Sequence, residues 1–253
     1  MKTTRMFAAA AVMGLTAGAA FAAALPAYID KALSDSGRPA ADTSRDANRH
    51  PGELIAFAGI KPGMKVVDVS PGGGYYTRIF AKAVGDRGQV YAYVSNGGDA
   101  RMKAQGKDPD NQMADFKATY HNLGVLHGPY SGFVTPEPVD VVWTSDNYHD
   151  FHNGPTAAAD IPAMNKGIFA SLKHGGIYLV LDHRAPKGAG AGSTSALHRM
   201  DEDIAKQEIE AAGFKLVAES KILTNPSDDN SKKVFEAGEH DKTDQFVLKF
   251  RKP

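Results

Sequence analysis

The 253-residue chain contains no cysteine. Disulfides, thiol nucleophiles and thiolate metal sites are therefore excluded. An excess of charge of either sign is also missing: Lys+Arg and Asp+Glu both count 29, and removing Lys2 and Arg5 with an N-terminal leader leaves 27 against 29. So even a balance gives no footprint for nucleic acid or for a membrane surface. Internal repeats and long low-complexity tracts are absent too. Only one stretch bears on a membrane. Lys2 and Arg5 precede an uncharged, Ala- and Gly-rich run from Met6 to about Phe21, which closes in Ala20-Phe21-Ala22, the small-x-small pattern of a signal peptidase site. The run falls short of the roughly 20 strongly apolar residues of a spanning helix. The expectation is a leader over residues 1–22, cut after Ala22 or Ala24, and an exported, periplasmic or secreted chain with no membrane span once the leader is gone. Residues 23–50 then form an N-terminal helix and loop, and residues 51–253 one domain.

What is present is an alternation of strand and helix patterns, which points to an α/β fold with a largely parallel sheet and helices on both faces. Helices are expected over 26–36, 51–59, 75–84, 111–120, 156–172 and 197–212. Strands are expected over 64–69, 89–94, 123–126, 139–144, 176–182, 214–223 and 244–250. Residues 40–50, 97–109 and 185–194 read as loops. The last two strands are joined by a long polar segment without an amphipathic helix, which suits antiparallel pairing at the end of the sheet.

The turn after the first strand is the clearest candidate for ligand binding. Asp68 precedes Ser70-Pro71-Gly72-Gly73-Gly74-Tyr75 at a strand-to-helix junction. Glycines there let backbone approach a ligand without a Cβ in the way. A nicotinamide turn requires glycine or alanine where Thr77 stands, so that match is incomplete. An acid at the strand end instead suits a ligand with a cationic amino acid end, whose ammonium group Asp68 can hold directly or through water.

The run Val66-Val67-Asp68-Val69-Ser70-Pro71-Gly72-Gly73-Gly74-Tyr75-Tyr76-Thr77 resembles motif I of class I S-adenosylmethionine-dependent methyltransferases, and the Gly59 to Lys65 lead-in is similar to theirs. Leu172 to Val180 and Glu210 to Val217 resemble the family's turns into strands five and six. The nearest likeness is to exported bacterial methyltransferase-like proteins with a His-Asp motif after strand four. The resemblance implies a Rossmann-like seven-stranded, mostly parallel sheet with an antiparallel last strand. It also implies S-adenosylmethionine at the carboxyl ends of strands one and two, and methyl transfer to a small-molecule acceptor. The cofactor residues it indicates are Asp68, Ser70, Pro71, Gly72, Gly73, Gly74 and Tyr75. The family's acid at the end of strand two is missing, because Val94 stands there; Ser95 or Asn96 is left to supply neutral hydrogen bonds, about half as strong as charge-assisted ones. That departure, with the leader, supports an alternative: a non-catalytic exported binding protein that keeps the fold.

Trp143 to Asn153, after the fourth strand, is the densest run of polar functional groups. His149 suits a general base, since an ordinary imidazole is half deprotonated near neutrality; Asp150 orients it or acts in its place. Asp146 is assigned to the cofactor side of the pocket or, with Tyr148, to the acceptor. Capping and turn formation are the competing role of each acid here. No metal site is assigned: a set of His149, Asp150, His152 and His183 matches no ligand spacing. Asp182-His183-Arg184 is expected to close the same pocket. His198 receives no role, and Arg45, Asp46 and Arg49 read as a lid salt bridge or, the preferred reading, a solvated stretch.

Overall fold

In the computed structural model, which describes residues 24–106, 114, 116–153, 160–236 and 240–253, seven strands form one sheet. They are β1 (Lys65–Val69), β2 (Gln89–Ser95), β3 (Leu123–Gly128), β4 (Val139–Ser145), β5 (Leu172–His183), β6 (Lys215–Ser220) and β7 (Gln245–Arg251), hydrogen-bonded in the order β3-β2-β1-β4-β5-β7-β6. The first five are parallel, and β7 lies antiparallel between β5 and β6. The expected α/β architecture, with its antiparallel last strand, is the one observed.

Strand side chains alternate between the two faces of a sheet, and here both faces are covered. Val66, Trp143 and Leu179 pack beneath α1 (Ala27–Leu33), α4 (Pro51–Ala58) and α5 (Tyr75–Val84). Val67, Val142 and Tyr178 pack beneath the helices Ile161–Ser171 and Glu202–Ala211. A strand buried on both sides can have no polar face, which is why β1 reads as a nearly unbroken run of valine.

Three stretches depart from expectation. Residues 40–50, read as a loop, hold two short helices, α2 (Ala40–Thr43) and α3 (Asp46–Arg49), and α6 (Asn96–Ala104) occupies part of the expected 97–109 excursion. The single helix expected over 197–212 is broken: one helix ends at Leu197, His198 has φ +54°, and a new helix starts at Glu202. Between them the buried Arg199 donates to the carbonyls of Lys232 and Arg184, and Asp201 caps the next helix through the N–H of Asp203. The Ile161–Ser171 helix begins where Asp160 accepts from the N–H of Ala163 at 2.9 Å. The leader, residues 154–159 and most of the start of the expected 111–120 helix lie outside the described residues. Among the described residues no helix is long and apolar enough to cross a membrane.

Candidate active site

β1 and β4 are neighbours whose following helices pack on opposite faces of the sheet. Their carboxyl ends therefore open the crevice in which doubly wound sheets bind ligands. Both strands leave the sheet through a non-glycine residue in the left-handed region, Ser70 and Asp146, each at φ +57°. That conformation costs about 1–2 kcal/mol per residue and persists where surrounding bonds fix it. The Ser70 N–H donates to the carbonyl of Tyr93 and the Asp146 N–H to that of Leu181. The Asn147 amide donates to the Ser70 carbonyl at 3.3 Å, joining the two loops.

The glycines of the first loop are not equivalent. Gly72 and Gly74 have φ of +56° and +77°. A Cβ on Gly74 would lie 2.3 Å from the Phe116 ring, whereas one on Gly72 or Gly73 would meet nothing within 4 Å. Gly74 is thus required by the protein's own packing, whereas a side chain at Gly72 or Gly73 would meet no atom of the described residues.

Asp68 is buried and accepts a 2.6 Å bond from the Thr77 hydroxyl. Among the described residues no cation forms an ion pair with it. Burial pushes its carboxyl up to about 7, against the lowering effect of Thr77 and of the more distant Arg49. Thr77, noted in the sequence only as a mismatch to glycine, is therefore the residue that orients the acid. Ser95 is buried at the end of β2, paired in register with Gly128, while Asn96 is exposed at the start of α6.

The N-terminal segment is bound down over this loop. Arg38 makes a bidentate contact with Asp46 at 2.8 and 2.6 Å, and Asp46 also accepts from the Tyr75 hydroxyl at 2.6 Å. The guanidinium groups of Arg38, Arg45 and Arg49 surround the Tyr75 ring, the nearest at 4.8 Å. Tyr75 is therefore an anchor for this segment and is not free to cover a ligand. Arg49 donates to Ser145 at 3.1 Å, to Asp146 at 3.0 Å and to Asp241 at 3.0 Å, and Arg45 holds Asp241 bidentately. The stretch read as solvated is thus a partly buried ionic lattice centred on the buried Arg49. Its partners lie up to 196 residues away, so only the clustering of charge ahead of the domain hinted at it.

On the other side of the crevice, a 3-10 turn (His149–His152) places His149 in the interior. Its N–H donates to Asp182 Oδ2 at 2.7 Å, and its Nδ1 lies 2.8 Å from Asp182 Oδ1. Burial favours the neutral ring, but Asp182 outweighs it, with Asp150 and Asp146 contributing, and the imidazole is raised to about 9. His149 is therefore not the half-deprotonated base expected from its ordinary value. Asp150 lies 3.3 Å from His149 Nε2, and the His198 ring, given no role from sequence, brings its Nδ1 to 3.4 Å from the same atom.

Tyr148 is fully buried, donating to Glu208 and accepting from Asn165. His152 faces Glu208 at 3.2 Å. His183 lies at the end of β5 as expected, with Nδ1 2.6 Å from the Thr243 hydroxyl and Nε2 4.0 Å from Asp146. Arg184 pairs with Glu202 and Asp244. The crevice thus gathers Asp68, the glycine turn, Asp146, His149 and Asp150, and leaves Tyr148, His152 and Arg184 outside it.

No protein-family model matches the chain, and no curated protein matches it in sequence. Solved structures do match its fold. A SAM-dependent methyltransferase from Aquifex aeolicus superposes with a TM-score of 0.55 at 19% identity, over 89% of this chain and 97% of that one. A putative sarcosine dimethylglycine methyltransferase from Galdieria sulphuraria gives 0.54 at 15%, over 90% and 91%. The 4+2 cyclase SpnF gives 0.56 at 15%, over 87% and 85%. The chain has the fold of class I methyltransferases, and the cyclase shows that this fold carries more than one reaction.

Proposed function

We propose that the protein is an exported S-adenosylmethionine-dependent methyltransferase acting on a small-molecule acceptor. The observation that carries this reading is the pairing at the switch point of a glycine turn, where a Cβ on Gly73 would meet no described atom, with a buried acid, Asp68, that forms no ion pair among the described residues. A ligand bearing an ammonium group supplies the missing charge. The fold of the solved methyltransferases supports the same reading.

Asp68, Ser70 and the glycine turn would hold the amino acid end of the cofactor, and Ser95 and Asn96 its ribose. Asp146, neutralised by Arg49, closes the site from the β4 side. When bound, S-adenosylmethionine supplies an electrophilic methyl group on a sulfonium sulfur. On the acceptor side, Asp150 is placed to take the acceptor's proton. His149, fixed by Asp182, stands beside Asp150 on that side and orients it. Export rests on the Lys2 to Ala22 leader.

Titration calorimetry with S-adenosylhomocysteine tests the reading. A Cβ at Gly73 meets no protein atom, so Gly73→Ala should keep the melting temperature and weaken binding by at least about tenfold, some 1.4 kcal/mol. Absence of binding to the parent protein at millimolar ligand would sink the proposal.

A further inference from the structure

We propose that His149, Asp150 and His198 form a binding site for one tetrahedral divalent cation of the Zn2+ type. Three ligand atoms converge there: His149 Nε2 to Asp150 Oδ1 is 3.3 Å, His149 Nε2 to His198 Nδ1 is 3.4 Å, and His198 Nδ1 to Asp150 Oδ1 is 3.6 Å. Zinc bonds of about 2.0–2.1 Å place the ligand atoms of a tetrahedron roughly 3.3–3.4 Å apart. An octahedral ion at similar bond lengths needs edges nearer about 3.0 Å. The three atoms therefore match one face of a tetrahedron.

The surroundings fit as well. His149 has its other ring nitrogen, Nδ1, against Asp182, which is fully buried. A carboxylate holding the far nitrogen of a ligating histidine fixes its tautomer and directs the lone pair of Nε2 towards the metal. His198 is held at φ +54°, a backbone conformation that is unfavourable for histidine and that turns its ring towards His149 at the end of helix Ser193–Leu197. Strain of that kind is retained where a side chain must be aimed. A carboxylate oxygen and two imidazole nitrogens facing one another can share a proton along only one edge at a time, whereas a cation satisfies all three. The side chains of Asp150 and His198 are 36% and 40% exposed, so the fourth coordination position opens outward to water or to an exogenous ligand.

The other two histidines and acids nearby do not compete for this role. Asp146, Asp182 and His183 also lie close together. Asp146 already faces the Arg49 guanidinium, and both oxygens of Asp182 accept from N–H groups of His149 and His183. A cation there would meet an existing one. His152 is turned towards Glu208.

A bound cation takes up Asp150 in place of the proton-accepting role given to it above; the site otherwise stands without reference to methyl transfer, and only a role for its open position in holding an anionic acceptor rests on that reading. Metal-stripped protein, with no adenosyl compound present, is dialysed against micromolar Zn2+ and its metal content measured. One equivalent per chain is expected. His198→Gly removes a ligand and relieves the left-handed strain, so it should bind Zn2+ at least about tenfold more weakly while melting no lower than the parent. Asp182→Asn, which touches no metal in this arrangement, should weaken binding by about 10–100-fold. Co2+ in place of Zn2+ should give the intense visible absorption of a tetrahedral ion, lost in His198→Gly. No bound Zn2+ in the parent, or undiminished binding in His198→Gly, overturns the proposal, as does equal loss on changing the exposed His121 to Ala.

Discussion

The turn after β1 and the loop after β4 flank one crevice, yet they handle buried charge in opposite ways. In the turn, Asp68 is held by Thr77 and feels only the more distant charge of Arg49, with no ion pair among the described residues, and burial pushes its carboxyl up to about 7. In the loop, Asp146 faces Arg49, and His149 faces Asp182 of β5. A carboxylate buried without a cation is costly to ionise, and one with a built-in partner is not. The difference teaches that charge buried in the loop is balanced within the protein, whereas charge on Asp68 would be left without an ion-pair partner among the described residues.

Removing the loop's built-in cation should have the largest effect. Arg49→Leu leaves Asp146 and Asp241 facing each other's side of the crevice without it, and should cost about 3–5 kcal/mol of stability by denaturant unfolding. A loss below about 1 kcal/mol would mean that the ionic lattice is a surface feature, of little energetic weight. Gly74→Ala should follow: the added Cβ meets Phe116 at 2.3 Å, and the residue sits at φ +77°, so overpacking and left-handed strain together suggest about 2–4 kcal/mol. Gly73→Ala beside it should stay within about 0.5 kcal/mol of the parent, and that contrast shows directly which glycine belongs to the fold and which to the ligand.

A smaller effect is expected from pH. The folded value of Asp68 lies above its unfolded value of 3.8, so its contribution to stability is complete below about 4 and is lost as pH rises through about 7. Binding of an ammonium-bearing ligand works the other way, because it requires the ionised acid. Affinity for S-adenosylhomocysteine should therefore rise by about tenfold between pH 6 and pH 8. Asp68→Asn should flatten that rise, and an unchanged slope in the variant would assign the titration to another group.

The sheet and the turn were readable because their signals are local. Valine runs mark strands buried on both faces, and a Gly-rich junction after Asp68 marks a strand-to-helix turn. The acceptor side was readable only as a list of residues. Tyr148 looked available because nothing in its neighbourhood announces Glu208 and Asn165, and His198 looked idle because its partner is 49 residues away. The value near neutrality expected of His149 failed for the same reason: Asp182, which overrides it, comes from the next strand. Arg49 is the sharpest case, since a short polar stretch gives no local sign that a guanidinium will be buried between two aromatic rings and two acids.

The bonds from Arg45 and Arg49 to Asp241 span 196 and 192 residues. They fasten a segment made early in synthesis to one made almost last. Contacts of such separation form late, after the local helices and turns are in place. The roof over the glycine turn is accordingly finished only when the C-terminal strand has emerged and docked. A chain without Asp241 would then lack that roof, even where its first strands had paired.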